Sequence, residues 1–137
     1  MSRISVLINS SADILTARKS GRDLARQIGF TSPTDLTLIA TAISELARNI
    51  VQYAERGEVL LDTIQRNGKC GITITAKDGG PGIADIAQVM RAGYSTSGGL
   101  GLGLPGVQKL MDQFDIASAS LTGTTITAVK WVPRHNE

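Results

Sequence analysis

A strand-like run that ends in an aspartate and a cluster of glycines constrains this sequence most. Residues 71–76 read Gly-Ile-Thr-Ile-Thr-Ala, and the β-branched Ile and Thr side chains favour a strand. Residues 78–82 read Asp-Gly-Gly-Pro-Gly. Glycines let the backbone turn sharply and approach a ligand closely, because they carry no Cβ. An ionised aspartate only accepts hydrogen bonds, so Asp78 suits an exocyclic amine of a ligand. An ordinary turn at the end of a strand, for which Asp-Gly is a common signal, is the alternative that this stretch leaves open.

Length and composition indicate one globular domain over residues 1–137, with 42% hydrophobic and 19% charged residues. The net charge is +2 and no run of like charges stands out, so neither nucleic acid nor a membrane is an expected partner. One cysteine and one histidine cannot form an internal disulfide or a His/Cys metal site. Because no segment has the apolar length of a signal peptide or a membrane span, we expect a cytoplasmic protein.

Apolar periodicity and turn signals predict the order of helices and strands. A helix starting at Ser10 should stop at Gly29, and Ser32 followed by Pro33 is a strong start for the next helix. Asn67-Gly68 is a pair favoured in two-residue hairpin turns. The predicted elements are a strand at 4–8, helices over about 11–28 and 33–54, strands at 57–66 and 69–77, helices at 84–92 and about 104–113, and strands at 114–121 and 124–132.

The second helix carries polar residues opposite its apolar stripe. At about 100° per residue, Glu45, Asn49 and Gln52 fall on the side away from that stripe. Glu45 and Asn49 are four residues apart, so their side chains lie one above the other. A solvent-exposed face without a functional role is the alternative for this pair.

Residues 93–104 form a loop rich in glycine and hydroxyl side chains that leads into a helix near Leu104. Glycines before a helix leave backbone N–H groups free to hold phosphate oxygens. A flexible surface loop is the alternative, although three leucines alternate with glycine there. The segment 101–106 also fits the pattern G-x-G-x-x-G, but a polar loop precedes it and no acidic residue follows at the distance a dinucleotide site requires.

Taken in order, these motifs resemble those of the ATPase superfamily shared by gyrase, the Hsp90 chaperones, histidine kinases and MutL (GHKL). Glu45-x-x-x-Asn49 on a helix precedes Asp78-x-Gly80-x-Gly82, then the glycine loop, then Gly123-Thr124. Within that superfamily the chain is most similar to the small bacterial anti-sigma-type serine/threonine kinases, and among them to the stressosome switch kinases. The likeness extends from about residue 10 to the end. Tyr53 departs from it, because a His or Lys often stands four residues after the Asn.

The resemblance implies an α+β two-layer sandwich, with a mixed β-sheet, helices on one face, and ATP held between helices and loop. It assigns Asn49 to Mg²⁺, Asp78 to the adenine amino group with help from Thr124 through water, and Glu45 to orienting or deprotonating the attacking hydroxyl. The residues that it places against ATP are Asn49, Asp78, Gly80, Gly82, Gly98, Gly99, Gly101, Gly103 and Thr124.

The function implied is that of an ATP-dependent serine/threonine kinase whose substrates are STAS-domain proteins. When released from them, such a kinase docks to a downstream effector such as a PP2C-type phosphatase. A nucleotide-dependent binding module without catalysis is the alternative, and Glu45 argues against it, because such a module needs no carboxylate beside a metal-binding Asn. Residues 93–100 are predicted to form a mobile lid, ordered mainly by nucleotide or partner, since they offer little burial to offset the ordering entropy.

Overall fold

Strands form one layer and helices the other in a computed structural model that describes residues 3–54, 56–80, 103–119 and 123–133. The predicted helix at 84–92 and lid at 93–100 lie outside these ranges, as do Gly82, Gly98, Gly99 and Gly101. The described elements are β1 (Ile4–Ile8), α1 (Ser11–Ile28), α2 (Pro33–Tyr53), β2 (Gly57–Arg66), β3 (Lys69–Asp78), α3 (Gly103–Leu110), β4 (Gln113–Ala119) and β5 (Gly123–Trp131).

Local signals fix the ends of the first two helices. The Asp13 carboxylate accepts from the backbone N–H groups of Asn9 and Ser10, at 2.8 and 3.1 Å, which ties down the start of α1. Gly29 ends α1 in the left-handed conformation, with a φ of 120°. At α2, the Ser32 hydroxyl accepts from the Asp35 N–H at 3.2 Å. Both predicted starts are therefore confirmed.

The predicted hairpin between β2 and β3 is also confirmed. Arg66 pairs with Lys69, and the two residues between them have positive φ angles, 54° at Asn67 and 78° at Gly68. A two-residue turn of this kind matches the twist of the flanking strands, and Asn-Gly is the pair that tolerates it best. The turn thereby sets the register that carries Asp78 to the end of β3.

The sheet has the order β1-β2-β3-β5-β4, and all four described pairings are antiparallel. The two-layer sandwich is confirmed. The five described strands pair only in antiparallel fashion, whereas a mixed sheet was expected. The helices α1 and α2 lie between β1 and β2 in the sequence. After them the chain returns to the edge of the sheet, where β2 pairs antiparallel with β1. Between β3 and β4, which point the same way, β5 is inserted, so that the two parallel strands do not touch.

The helix α3 ends earlier than the sequence pattern indicates, at Leu110 rather than near Gln113. Lys130 of β5 donates its Nζ proton to the Leu110 carbonyl at 3.0 Å, and the Asp112 N–H donates to the Val129 carbonyl at 2.8 Å. A cation at the last carbonyls favours a helix end. Gln113 is already the first residue of β4, because pairing with β5 takes over its backbone.

The core lies between the sheet and α2, which packs against α1, α3 and strands β1 to β3. A Cβ at Gly21 of α1 would collide with Ile43 of α2, so this glycine lets the two helices come close. No helix in the ranges described is both long and apolar enough to span a membrane. The largest fully buried side chains include Phe30, Ile8, Leu24, Ile39, Ile43, Leu46, Ile50, Leu61, Ile72 and Ile74.

Candidate functional site

A row of five paired residues crosses one end of the sheet, and we call this row the site edge. In sheet order it consists of Ile8, Gly57, Asp78, Thr124 and Ser118. Three strands end close to this row and two begin there. The row therefore brings together residues that are far apart in the sequence, and three of its members have polar side chains.

Asp78 points towards the helix layer. Ile72, Ile74 and Ala76 of β3 are buried in the core, and Asp78 is the next residue of the same alternation. Its Oδ1 accepts from the Gly80 N–H at 2.9 Å, which fixes the turn. A half-buried carboxylate thus stands where the alternation would place an apolar side chain, a signal already visible in the sequence.

Close backbone packing holds the turn against α2 and β5. A Cβ at Gly80 would lie 2.7 Å from Ala54 Cβ at the end of α2. Gly123 has a φ of 85°, and a Cβ there would collide with the Asp78 carbonyl. Gly80, which the resemblance assigned to approach of the base, thus also has a packing reason to be glycine. The start of β5 and the end of β3 leave no room between them.

We expect Gly123→Ala to destabilise the protein by about 2 kcal/mol or more, because a side chain in the left-handed region costs about 1–2 kcal/mol before the collision is added. Urea unfolding measures this as a lower midpoint. Gly79→Ala is the matched control, since a Cβ there meets no atom of the described residues within 4 Å, and its effect should stay within about 0.5 kcal/mol. Equal midpoints for the two variants would contradict the packing described here.

Thr124 is buried at the site edge, where it lies opposite Asp78 in the β3–β5 register. Its Oγ1 is 2.9 Å from the Ser118 hydroxyl oxygen, and the Ser118 hydroxyl also lies 3.4 Å from the Gly123 carbonyl. Sequence reasoning did not single out Ser118. Only the pairing of β4 with β5 reveals it, because no local pattern distinguishes it from its neighbours.

Glu45 and Asn49 lie on consecutive turns of α2, as the spacing predicts, but Glu45 is not on a solvent-exposed face. It is 4% exposed, whereas Asn49 is half-buried and Gln52 is exposed. The alternative of a solvent-exposed face is wrong for Glu45, because α2 is flanked by α1 and α3 as well as by the sheet. A helical wheel gives only the angle from the apolar stripe, not which neighbours cover the remaining faces.

The end of α2 packs against the site edge, next to Asn49 in the sequence. A Cβ at Gly57 would lie 2.9 Å from Ile50 Cγ2, and Ile50 directly follows Asn49. Gly103, buried with a φ of 56°, begins α3. The structure thus brings the turn of α2 that carries Ile50 against Gly57 of the site edge. It does not describe the remaining predicted glycines.

The donor set fits ATP with Mg²⁺. The carboxylate of Asp78 can accept from an adenine amine, and the Asn49 amide offers one oxygen, the ligand atom that Mg²⁺ prefers. No group of three His, Cys, Asp or Glu side chains suited to a metal occurs in the part of the chain that the structure describes.

Residues 34–135 match the family model of histidine kinase-, DNA gyrase B-, and HSP90-like ATPases. The chain is 50% identical over 127 residues to the serine/threonine-protein kinase RsbT of Bacillus subtilis (strain 168), covering 93% of this chain and 95% of RsbT. It is 29% identical over 103 residues to the anti-sigma F factor of Caldanaerobacter subterraneus subsp. tengcongensis, covering 71% of each chain.

Solved histidine kinase structures share the fold. The mycobacterial sensor histidine kinase MprB superposes with a TM-score of 0.52 at 16% identity, covering 95% of this chain and 96% of its own. The catalytic domain of histidine kinase ThkA superposes with a TM-score of 0.51 at 16% identity, covering 96% and 99%. At this identity the likeness concerns the fold alone.

Proposed function

This chain belongs to the family of histidine kinase-, DNA gyrase B- and HSP90-like ATPases, and we propose that it is an ATP-dependent serine/threonine protein kinase in a bacterial stress-signalling complex. The identity with RsbT supports this reading, since that relative is a serine/threonine-protein kinase and matches nearly the full length. We further propose that it acts on STAS-domain proteins in the cytoplasm and, once released, docks to an effector such as a PP2C-type phosphatase.

The observation that carries the proposal is the carboxylate of Glu45, buried one turn before Asn49 on the helix that packs against the site edge. Burying a carboxylate is costly unless it is paired, and Arg48 pairs with Glu45 at 2.6 Å, so the carboxylate can be kept in this buried place. A base next to a phosphate-binding residue can accept the proton of an attacking hydroxyl. Nucleotide binding alone would not require it.

Each site residue has a role in this proposal. Asp78 accepts a hydrogen bond from the adenine amine. Thr124, in the same row, contacts the adenine through water. Asn49 offers its amide oxygen to Mg²⁺, which neutralises charge on the phosphates when bound. The substrate hydroxyl gives its proton to Glu45 as its oxygen bonds to the γ-phosphorus, the bond from that phosphorus to the β–γ bridging oxygen breaks, and ADP leaves.

The direct test mixes the purified protein with γ-labelled ATP, Mg²⁺ and a STAS-domain protein from the same genome. We expect label on a Ser or Thr of the STAS protein, which mass spectrometry locates. A STAS protein in which that hydroxyl is replaced by alanine is the control. Complex formation without transfer of label would refute the kinase proposal.

We expect Asn49→Ala to suppress Mg²⁺-dependent transfer by about 10²-fold or more, because it removes a metal ligand next to the phosphates while leaving the core intact. Initial rates across a Mg²⁺ titration measure the loss. Thr37→Ala is the matched control, since Thr37 is exposed near the start of the same helix, away from the site edge. If Asn49→Ala transferred phosphate at the wild-type rate, Asn49 would not be the proposed metal ligand.

The second candidate function is a nucleotide-dependent binding module, and the similarity to an anti-sigma F factor favours it. Such a module would bind ATP and a partner with no use for the Glu45 base. The two functions differ in one measurement. The kinase transfers label from γ-labelled ATP to its partner and loses this transfer when Glu45 is replaced, whereas the module transfers no label although its binding of the partner depends on nucleotide.

A further inference from the structure

Arg48 is the residue that holds the buried Glu45 carboxylate. Its Nη1 donates to Glu45 Oε1 at 2.6 Å, and the two side chains are 33% and 5% exposed. Hydrogen bonds between charged groups are shorter and stronger than neutral ones, and partial burial protects this pair from screening by salt. The pair therefore differs from the exposed pairs on α1, in which Asp23 lies 3.9 Å from Lys19 and 3.6 Å from Arg26.

Arg48 hydrogen-bonds one oxygen of the Glu45 carboxylate from the next turn of α2. A carboxylate can accept at both oxygens, and Arg48 occupies Oε1. The Glu45 side chain is 5% exposed, so breaking the contact with Arg48 would take a favourable interaction from a buried charge. The contact thus favours the orientation of the carboxylate in which Oε1 faces Arg48.

We propose that Arg48 is a positioning residue for phosphoryl transfer, acting through Glu45; the inference rests on the proposed kinase function. By holding Oε1, Arg48 presents Oε2 to the substrate hydroxyl. The proton of that hydroxyl passes to Oε2 as the new oxygen–phosphorus bond forms and the bond to the departing ADP breaks. Arg48 acts only through its hydrogen bond to Oε1 and does not contact the reacting atoms.

The position of Arg48 in the sequence supports this role. It lies between Glu45 and Asn49 on a single stretch of α2, so one rigid helix sets both the base and the proposed metal ligand. Sites built on helices keep their geometry better than sites on loops. A displacement of about 1 Å in a catalytic group can cost about 10²-fold in rate, so a residue that prevents it affects catalysis without touching the substrate.

The test compares Arg48→Ala with Arg48→Lys in the STAS phosphorylation assay. We expect Arg48→Ala to lower kcat by about 10- to 10²-fold, with KM for ATP and affinity for the STAS protein within about 3-fold of wild type. Arg48→Lys should recover part of kcat, because the ammonium restores the charge but not the planar group. Low millimolar guanidinium should raise kcat of the alanine variant and leave wild type unchanged. Arg18→Ala, at an exposed position of α1, is the matched control.

A double variant separates positioning from a structural role. If Arg48 acts through Glu45, then adding Arg48→Ala to Glu45→Ala should lower kcat no further, because residues that act as a unit are not additive. An additional loss in the double variant, or a normal kcat for Arg48→Ala, would overturn the inference. A loss that follows thermal stability and is rescued neither by lysine nor by guanidinium would overturn it as well. Wild-type protein that transfers no phosphate would refute the proposed function itself, and the inference with it.

Discussion

Replacing Glu45 by alanine is expected to slow phosphorylation of the STAS partner by about 10²–10⁴, the usual contribution of a general base, while ATP affinity stays within a few fold. The reason is that the proposed function places the Glu45 carboxylate at the substrate hydroxyl and the adenine at the site edge. Three quantities measured on one variant decide the outcome: nucleotide affinity by calorimetry, transfer rate with labelled ATP, and affinity for the STAS protein.

Glu45→Gln is the matched control for the fold. It keeps the shape of the side chain and an oxygen that can accept from Arg48, but it is a far weaker base, so its transfer rate should fall about as far as that of the alanine variant. A normal rate in either variant would remove Glu45 from the reaction. If transfer and partner affinity fell together while ATP affinity stayed normal, Glu45 would instead belong to the docking surface.

Replacing Asp78 by asparagine should abolish detectable ATP binding while leaving the fold intact. The amide can present a donor where the adenine amine needs an acceptor, and a mismatched buried pair costs about 1–3 kcal/mol or more, which corresponds to about 10- to 10²-fold or greater loss of affinity. The chain keeps its turn, because an amide oxygen can still accept from the Gly80 N–H. Calorimetric titration with ATP and Mg²⁺ measures the loss.

Asp115→Asn is the control for Asp78→Asn, since it makes the same chemical change at an exposed position of β4. Its affinity for ATP should equal that of wild type. Wild-type affinity in Asp78→Asn would disprove the proposed adenine contact. A variant that no longer unfolds cooperatively in urea would show that Asp78 serves the fold rather than the nucleotide.

Much of the fold could be predicted because its signals are local. Capping residues, a glycine at the end of α1 and an Asn-Gly turn each act within a few residues, and they set element bounds that the structure reproduces. The early end of α3 could not be predicted. It depends on Lys130, which belongs to β5, so the residues of the helix itself do not indicate it.

The candidate site divides in the same way. The spacing of Glu45 and Asn49 and the strand that delivers Asp78 are properties of single elements, and the sequence predicts both. The burial of Glu45 and the contact of Thr124 with Ser118 arise only when elements pack together. Arg48 falls between these cases, because helical spacing places it beside Glu45, but only the burial of the carboxylate makes that contact important.

The pairing of Asp78 with Thr124 has a consequence for how the chain acquires its activity. These residues belong to two different hairpins, β2–β3 and β4–β5, and the β3–β5 pairing is the seam that joins them. Contacts within a hairpin form between near neighbours, whereas the seam requires closure of a long loop, which is the slower event in folding. Neither hairpin by itself contains both residues of the proposed adenine site. In a ribosome-bound chain that proposed site is therefore incomplete until β5 has emerged and been inserted beside β3.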